Sequence, residues 1–542
     1  MNAILVSHFR DFNWINKNIE TECQILGHAD HLCEQKEFSV VSFYDHGLES
    51  DQINFSIEYL AFNWHRDKSG KDLCVNNSLS VAEAFSTGVF INISSVCREY
   101  FCLQYWLGKF DVIYISRNES KPFTDIARLF GDRIKEYGPE HNLSPVISSI
   151  NNRDLIRDRH LWLFSILKVI QRPIQFLLRR KTIAVKDWTI QKYEARNANW
   201  LSMNVSRLWK SAYFAYPSRD QINIARSMVP DHYNDYFSPD AIADVLKRIN
   251  TVWDVNLVIA ISKVMSNRYA FYREYFIFTI ACYENLFKSY LPVEFVVTSE
   301  LYEPYTLAIQ LAKKRGIKTS WMVDGFPAMP YYRQIGKDKI GPKFFDRLYA
   351  IGSHHQLMLE GKKESNQEII KIFPPILMGN EFRYKEKKYD AIIMILSPYD
   401  LSINGRSGSR VKSLIDMIES ARSHNLKRLA VKIKHDMELV LWSELIESGI
   451  NIENISLLRG RFSDHICFAH CVIGGVSSAI GEAAFCDIPY FIYEPYSNGY
   501  SDNQLNSSPL FKIKDVARSK AELHKMLKIK RKSTSISRLD LI

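Results

Sequence analysis

The sequence lacks several features that would place it in a specialised class of protein. None of its nine cysteines forms a Cys-x-x-Cys pair. No apolar run approaches the roughly 20 residues that a membrane-spanning helix needs, and the first residues lack the basic start and apolar centre of a secretory signal. Charged residues make up 24% and hydrophobic residues 46% of the 542 positions, which is the mixture of an ordinary globular protein rather than of a disordered or collagen-like chain.

The cysteines are typical of buried, reduced thiols. Their number is odd, and although Cys467 and Cys471 flank His470, the second ligand pair of a metal site is missing. We therefore expect a protein of the reducing cytoplasm. The formal net charge of +10 is a mild basic bias for this length. It suits an anionic substrate or a lipid surface, and no nucleic-acid-binding module accompanies it.

Strand-like and helix-like segments alternate over much of the chain, which predicts parallel sheets covered by helices. Between about 150 and 290 the pattern changes to apolar residues at helical spacing with little glycine. We predict an α/β fold of the GT-B type, with two Rossmann-like lobes facing a cleft. The first lobe spans 1–380 and carries a mainly helical insertion at about 150–290, the second spans 381–520, and a basic, disordered tail follows at 521–542.

The second lobe has the clearest pattern of alternating elements. We predict a helix over Asp464–Ala469 and five strands, Ala391–Leu396, Arg428–Ile433, Ile455–Leu458, Cys471–Ile473 and Pro489–Tyr493. Such doubly wound domains bind ligands beyond the carboxyl ends of their strands.

A glycine- and serine-rich turn follows one of these strands. Gly474 and Gly475 permit close approach of the backbone, and Ser477 and Ser478 stand where a helix begins. Backbone N–H groups at a helix start attract a phosphate, and the serine hydroxyls add donors. Glu482 lies about one turn into the helix and is a candidate acceptor for ribose hydroxyls. The alternative is a strand–turn–helix connection in which serine is an ordinary N-cap.

Two further polar segments follow predicted strands of the second lobe. Lys434 and His435 come directly after Arg428–Ile433, and a histidine there can donate to a phosphate or protonate a leaving group. Arg406 lies in the loop Ser402–Ser409 and is a candidate partner for a substrate carboxylate. The alternatives are an ordinary exposed histidine and a mobile surface loop.

The first lobe offers two carboxylates at strand ends. Asp324 follows the strand Thr319–Val323 and precedes Gly325, and Glu300 ends the strand before it. Either carboxylate is a candidate general base or nucleophile. The alternative is that each one caps the next helix.

Taken in order, the Asp324-Gly325 pair, the Lys-x-Lys-His435 segment and the Ser477-Ser478 pair resemble motifs of a family of bacterial glycosyltransferases. These are the GT-B enzymes that use CMP-activated acidic sugars, namely the sialyltransferases and the Kdo transferases of capsule and lipopolysaccharide synthesis. The resemblance is best over residues 294–500. It implies that Asp324 acts on the acceptor or the anomeric carbon, and that His435 and the two serines contact the CMP phosphate.

Two positions depart from that family's pattern. Val323 stands where a second acid often precedes the Asp-Gly pair, and Asp436 replaces the proline that usually follows the histidine. Donors other than CMP-sugars therefore stay open. The alternatives are a UDP- or GDP-hexose transferase, a polyol-phosphate transferase, and a non-catalytic scaffold of the same fold in polysaccharide assembly.

The resemblance implies transfer of a Kdo- or sialic-acid-like sugar from a CMP donor to a surface-polysaccharide or lipopolysaccharide acceptor. We expect no cofactor and no essential metal, since the chain has no Asp-x-Asp sequence. Nucleic acid is not an expected partner. The acceptors of such enzymes are usually lipid-linked, so we also predict peripheral contact with the inner face of the plasma membrane. Trp162–Lys181 and Lys528–Lys532 are the candidate segments for that contact.

Overall fold

The structure, a computed structural model, describes more than three fifths of the chain. The described ranges are 2–6, 9–18, 23–27, 39–43, 51–76, 79–117, 119, 121–138, 183–185, 217–231, 236–290, 294–297, 303–322, 334–335, 338–339, 345–360, 366–372, 386–394, 409–433, 441–442, 445–446, 448–495 and 510–529.

The first sheet is a five-stranded parallel sheet with the order β3-β2-β1-β6-β7. The small antiparallel hairpin β4–β5 lies in the sequence between its two halves. The central strand β1 is an apolar run with four buried residues, as expected for a parallel sheet that is covered on both faces. The strands are β1 (Asn2–Val6), β2 (Cys23–Gly27), β3 (Val40–Ser42), β4 (Val75–Asn76), β5 (Leu79–Ser80), β6 (Ile113–Ser116) and β7 (Ile134–Tyr137).

Four helices belong to this part of the chain. They are α1 (Phe9–Asn18), α2 (Asp51–Asn63), α3 (Val81–Leu107) and α4 (Lys121–Ala127), followed by a 3₁₀ segment at Arg128–Arg133. The helix α3 is 27 residues long, and the Ser80 hydroxyl caps its start by accepting from the Glu83 amide. Its many buried apolar side chains form the centre of the largest core cluster, so α3 is an internal helix rather than a surface one.

The second sheet is also parallel, with the order β14-β13-β10-β9-β8. Its strands are β8 (Ile183–Val185), β9 (Glu294–Val297), β10 (Lys318–Met322), β13 (Arg347–Ile351) and β14 (Glu368–Ile372), and the hairpin strands β11 (Gln334–Ile335) and β12 (Asp338–Lys339) precede β13. The helices of this region are α5 (Arg219–Met228), α6 (Pro239–Lys247), α7 (Val255–Tyr290), α8 (Glu303–Lys314) and α9 (Gly352–Glu360).

A reciprocal pair of hydrogen bonds joins the first two sheets through their helices. The Ser80 amide donates to the Gln310 side-chain oxygen at 2.7 Å, and the Gln310 side-chain amide donates back to the Ser80 carbonyl at 3.1 Å. This contact ties the start of α3 to α8. The helices α3, α7 and α8 contribute to the same core cluster as strands of both sheets, so the two sheets share one hydrophobic core.

The third sheet has six parallel strands in the order β17-β16-β15-β18-β19-β20. Its strands are β15 (Tyr389–Met394), β16 (Leu429–Lys432), β17 (Ile455–Leu458), β18 (Ala469–Gly474), β19 (Tyr490–Tyr493) and β20 (Val516–Ala517). The helices are α10 (Ser409–Ser423), α11 (Ala479–Phe485) and α12 (Lys520–Lys528), with 3₁₀ turns at Phe462–Asp464, Ile466–Phe468 and Ile513–Asp515.

Alternate residues of the third sheet enter two different cores. On β15, Ala391 and Ile393 belong to the cluster that includes α10 and α12, whereas Ile392 belongs to the large cluster shared with the other sheets. Successive side chains of a strand point to opposite faces, so both faces of this sheet are covered. Because both faces are buried, these strands are apolar throughout in the sequence.

The α/β class and its parallel sheets, predicted from the sequence, are confirmed. The range 1–380, for which we predicted one Rossmann-like lobe, holds two separate sheets, because β9 and β10 pair with each other and with β8 rather than with β1. The third sheet lies inside the predicted range 381–520. Three helices, α5 to α7, occupy the described part of the predicted helical insertion, which also contributes β8.

Two local predictions were wrong. The expected disordered tail from 521 begins instead as the helix α12, which Ser519 caps and which buries Leu523 and Leu527. The predicted helix Asp464–Ala469 is a pair of 3₁₀ turns, and Ala469 already starts β18. Within the described residues, no helix combines the length and the apolar character needed to cross a membrane.

Candidate functional site

The order of the third sheet points to one edge as the place for a ligand. Counted along the chain, its strands run 3-2-1-4-5-6, and the direction of the order reverses between β15 and β18. In open parallel sheets of this kind, ligands bind in the crevice outside the carboxyl ends of the strands where the order reverses. The loop Gly474–Ser478 leaves the carboxyl end of β18 at this position and leads into α11.

Gly474 is required by packing at the base of this loop. A Cβ atom on it would lie 2.6 Å from the Cβ of Met394 on β15 and 2.8 Å from the hydroxyl oxygen of Tyr490 on β19. Both distances are shorter than real Cβ contacts. We predicted that the glycines let another group approach the backbone closely. In the structure, the groups close to Gly474 are side chains of the two neighbouring strands.

The two serines lie at the start of α11 in different environments. Ser478 is the exposed N-cap residue, but its side chain makes no capping hydrogen bond. The half-buried Ser477 accepts a hydrogen bond from the Ala479 amide at its hydroxyl, at 3.3 Å. The ordinary serine N-cap, which the sequence left as the alternative, is therefore not formed by Ser478.

Glu494 was not among the predicted site residues, but its side chain binds the backbone of this loop. This residue follows β19 and is 4% exposed, and its carboxylate accepts a hydrogen bond from the Val476 amide at 2.6 Å. Its own amide donates to Ala517 on the next strand. An acid directly after the last clear strand was the one available signal. The contact places a buried carboxyl group beside the loop that we predicted to bind a phosphate.

Tyr490 supports the same loop from β19. Its hydroxyl donates to the Gly475 carbonyl at 2.9 Å. Burial raises the pKa of Tyr490, while a hydrogen bond with Ser477 acts in the opposite direction. The phenol therefore stays neutral over the physiological range. Together, Tyr490 and Glu494 fix the loop backbone at two successive positions.

Glu482, the predicted ribose partner, lies inside the structure rather than on its surface. The whole of α11 is buried, and Glu482 is 4% exposed. The role of Glu482 stays a prediction.

Five of the predicted site residues lie outside the described residues. They are Glu300, Asp324, Arg406, Lys434 and His435. Their sequence neighbours show where the chain departs: β9 and β10, which precede Glu300 and Asp324, are adjacent parallel strands, and β16, which precedes Lys434, is adjacent to β15. The three-part arrangement of Asp324, His435 and the serine pair is therefore untested.

Lys432 and the cysteines of this domain have structural contacts. The Lys432 side chain is buried, and its ammonium donates to the Ile433 carbonyl. The sulfur atoms of Cys467 and Cys486 lie 4.0 Å apart as thiols. Burial raises the pKa of Cys471 to about 12, and its thiol donates to the Asp390 carbonyl. The weak hint of a metal site around His470 thus gains no support from Cys467 or Cys471.

Comparisons with known proteins find similarity in structure only. No protein-family model matches the chain, and no curated protein sequence matches it. UDP-GlcNAc 2-epimerase from Neisseria meningitidis aligns over 49% of this chain and 78% of its own, with 11% identity and a TM-score of 0.36.

Two transferases align with similar statistics. The wall teichoic acid polymerase TagF aligns over 47% of this chain and 65% of its own, at 13% identity and a TM-score of 0.29. The pneumococcal O-GlcNAc transferase GtfA aligns over 46% and 52%, at 10% identity and a TM-score of 0.31. With TM-scores below 0.5, these similarities give no information about the activity of this chain.

Proposed function

We propose that this protein is a glycosyltransferase that binds a nucleotide-sugar donor at the carboxyl edge of its third sheet. The observation that carries the proposal is the reversal of strand order between β15 and β18, where the loop Gly474–Ser478 presents the exposed residue Ser478. This is the position at which doubly wound sheets bind nucleotides. The acceptor is a glycan or a lipid-linked glycan, as the motif resemblance implies.

The donor is a CMP-activated acidic sugar of the Kdo or sialic-acid type. Beside the motif order, the charge at the loop supports this choice. The Glu494 carboxylate accepts a hydrogen bond from the Val476 amide and so lies next to the loop. A negative charge there repels a bound phosphate, and the repulsion is stronger away from water. A CMP-sugar brings one phosphate to the loop, whereas a UDP- or GDP-sugar brings two. The buried carboxylate therefore favours the monophosphate donor.

The reaction needs a set of donors on the phosphate and a carboxylate at the sugar. Negative charge grows on the phosphate as the bond to the anomeric carbon breaks, so donors from Ser477, Ser478 and His435 help more in the transition state than before it. Lys434 and Arg406 supply positive charge, to the phosphate and the sugar carboxylate respectively. Asp324 takes the acceptor's proton if the reaction inverts the anomeric centre. If the reaction retains it, Asp324 or Glu300 attacks the sugar.

A nucleotide panel tests the proposal. The thermal unfolding midpoint of the whole protein is measured with CMP, UDP, GDP and CDP-glycerol, since a ligand that binds only the folded state raises this midpoint. We expect CMP to give the largest rise. The double variant Ser477→Ala/Ser478→Ala should lose the rise, and Ser227→Ala, which removes an exposed hydroxyl from α5, should keep it.

Each other outcome has a distinct meaning. A larger rise of the midpoint with UDP or GDP would mean that the donor is a UDP- or GDP-hexose rather than a CMP-sugar. A rise confined to CDP-glycerol would indicate a polyol-phosphate transferase. If no nucleotide changes the midpoint, the protein is a non-catalytic scaffold. If CMP stabilises the double serine variant as strongly as the wild type, the nucleotide binds elsewhere.

A further inference from the structure

A histidine and two carboxylates meet where the helix α2 gives way to α3. His65 lies just beyond the end of α2, Asp72 closes the short turn that follows, and Glu83 is in the first turn of α3. One ligand-type atom from each of the three lies within 4.8 Å of the others. In the part of the chain that the structure describes, this is the single group of three such residues that comes together.

The surroundings hold the two carboxylates in place. One oxygen of Asp72 accepts from the Cys74 amide at 2.8 Å, which turns the other oxygen toward His65. Glu83 accepts from the Arg66 guanidinium at 2.8 Å. Arg66 bonds the same Glu83 oxygen, Oε2, that lies nearest His65. The Asp72 contact engages the oxygen turned away from His65, and outer contacts of that kind orient metal ligands in proteins.

The turn between His65 and Asp72 is itself well organised. The Asp67 carboxylate accepts from the Ser69 and Lys71 amides, and the Leu73 amide donates to the His65 carbonyl at 2.9 Å. The His65 side chain is 1% exposed, whereas Asp72 and Glu83 are 15% and 17% exposed. A small ion can therefore reach the carboxylates from solvent, and the histidine lies at the buried end of the group.

The contact between His65 and Glu83 is long for a hydrogen bond, and the distances from the histidine to the two carboxylates are close to the spacing of two ligands on one metal ion. The Nε2 atom of His65 lies 3.4 Å from the Glu83 carboxylate and 3.7 Å from the Asp72 carboxylate. A charge-assisted N–H···O bond is normally about 2.7–2.9 Å long. By contrast, two ligands bonded to one tetrahedral zinc ion at about 2.0–2.2 Å are separated by about 3.3–3.6 Å.

We propose that His65, Asp72 and Glu83 bind a divalent transition-metal ion of the Zn²⁺ type, with water as a fourth ligand. An imidazole nitrogen with two carboxylates suits zinc better than Mg²⁺ or Ca²⁺, which prefer oxygen ligands alone. The ion would link the end of α2, the turn and the start of α3. Because α3 lies in the core shared by the first two sheets, the metal stabilises the fold and takes no part in sugar transfer.

The test measures how much zinc the full-length protein retains. Wild type, Asp72→Asn, Glu83→Gln and the control Asp244→Asn are loaded with Zn²⁺, dialysed and analysed for zinc per chain. Asp72→Asn keeps an oxygen for the Cys74 amide, so its fold is preserved. Asp244 is an exposed acid paired with Lys247. We expect one tightly held equivalent in wild type and control, and a more than 100-fold weaker affinity in the other two, since even outer-shell partners are worth about 10–100-fold.

X-ray absorption at the zinc edge identifies the ligands, because the chain also carries nine cysteines. We expect nitrogen and oxygen neighbours at about 2.0–2.2 Å and no sulfur at about 2.3 Å. A sulfur shell, or equal zinc content in Asp72→Asn and wild type, would overturn the proposal. So would a wild type that retains no zinc, which would leave an ion-pair network of His65 with the two acids. None of these results bears on nucleotide binding, so this proposal and the proposed function can fail separately.

Discussion

The Glu494 carboxylate accepts a 2.6 Å hydrogen bond from the Val476 amide, so a buried acid holds the loop that we propose for a donor phosphate. Two substitutions separate its two effects. Glu494→Gln keeps an acceptor for the amide and removes the charge, and we expect it to strengthen CMP binding by about threefold to tenfold. Glu494→Ala leaves the amide without that acceptor and should lower the free energy of unfolding by about 1–3 kcal/mol.

Calorimetric titration with CMP and urea unfolding measure these two quantities. The glutamine variant serves as the control for the alanine variant, because both lose the charge and only one loses the acceptor. Unchanged CMP affinity in Glu494→Gln would mean that the phosphate does not bind beside Val476.

Gly474→Ala should destabilise the third sheet. The added methyl would lie 2.6 Å from Met394 and 2.8 Å from Tyr490, and overpacking of this kind typically costs about 1–3 kcal/mol. The measurement is the urea midpoint of the variant. Gly449→Asn is the comparison, because Gly449 has a positive φ and open space around it and asparagine tolerates that backbone conformation. Equal stability of Gly474→Ala and wild type would contradict the tight packing at the strand ends.

The pair Asp324→Asn and His435→Ala tests the proposed division of roles in the site. His435→Ala should weaken CMP binding and lower turnover by about 10²–10³-fold, because it removes a donor to the developing charge. Asp324→Asn should leave CMP binding intact and abolish turnover. The readouts are CMP affinity and the rate of sugar transfer from a CMP donor. Near-normal turnover in Asp324→Asn would make Asp324 a structural cap and Glu300 the next candidate.

His355 should make the protein less stable in mild acid. Burial lowers its pKa to about 3, and the charge of His354 acts in the same direction. Its Nδ1 atom accepts from the Ile351 amide at 3.1 Å. The ordinary value is about 6.5, so between about pH 6.5 and 3 the unfolded chain takes up a proton that the folded chain does not. Stability is therefore complete above that window and falls by up to about 1.4 kcal/mol per pH unit within it.

Urea midpoints measured between pH 7 and pH 4 test this expectation. In His355→Gln the unfolded chain takes up one proton fewer, so the free energy of unfolding should fall less steeply as the pH is lowered. This holds whatever the effect of the substitution on stability at pH 7. His470→Gln, at an exposed position, is the control. An unchanged slope in His355→Gln would show that the buried imidazole is not the group responsible.

Local pattern predicted the strands of the third sheet well and the pairing of strands in the first part of the chain poorly. The predicted strands at 391–396 and 489–493 correspond to β15 and β19 to within two residues, because a strand buried on both faces must be apolar throughout. Which strands share a sheet is decided by packing between distant segments, and nothing in the sequence near β9 indicates that it pairs with β10 and β8 rather than with β1. The range 1–380, predicted as one lobe, therefore contains two sheets.

The candidate site, too, was predicted only in part. The turn after β18 was visible in the sequence because two glycines and two serines follow an apolar strand. The role of Glu494 was not visible, since an acid at the end of a strand is equally common on a solvated edge and only the fold brings it under Val476. His65, Asp72 and Glu83 have irregular spacing and form a group only because the turn folds back on α3.

The three large sheets consist entirely of parallel ladders, and this has a consequence for how the chain reaches its native state. Two neighbouring parallel strands can pair only after the crossover segment between them has brought them together. The stabilising contacts are therefore distant in sequence and form late. Until they form, apolar strands such as β1 and β15 expose both faces and both edges, which is the situation that favours aggregation. Slow synthesis at low temperature, with chaperones present, is therefore the condition under which this chain should give the most folded material.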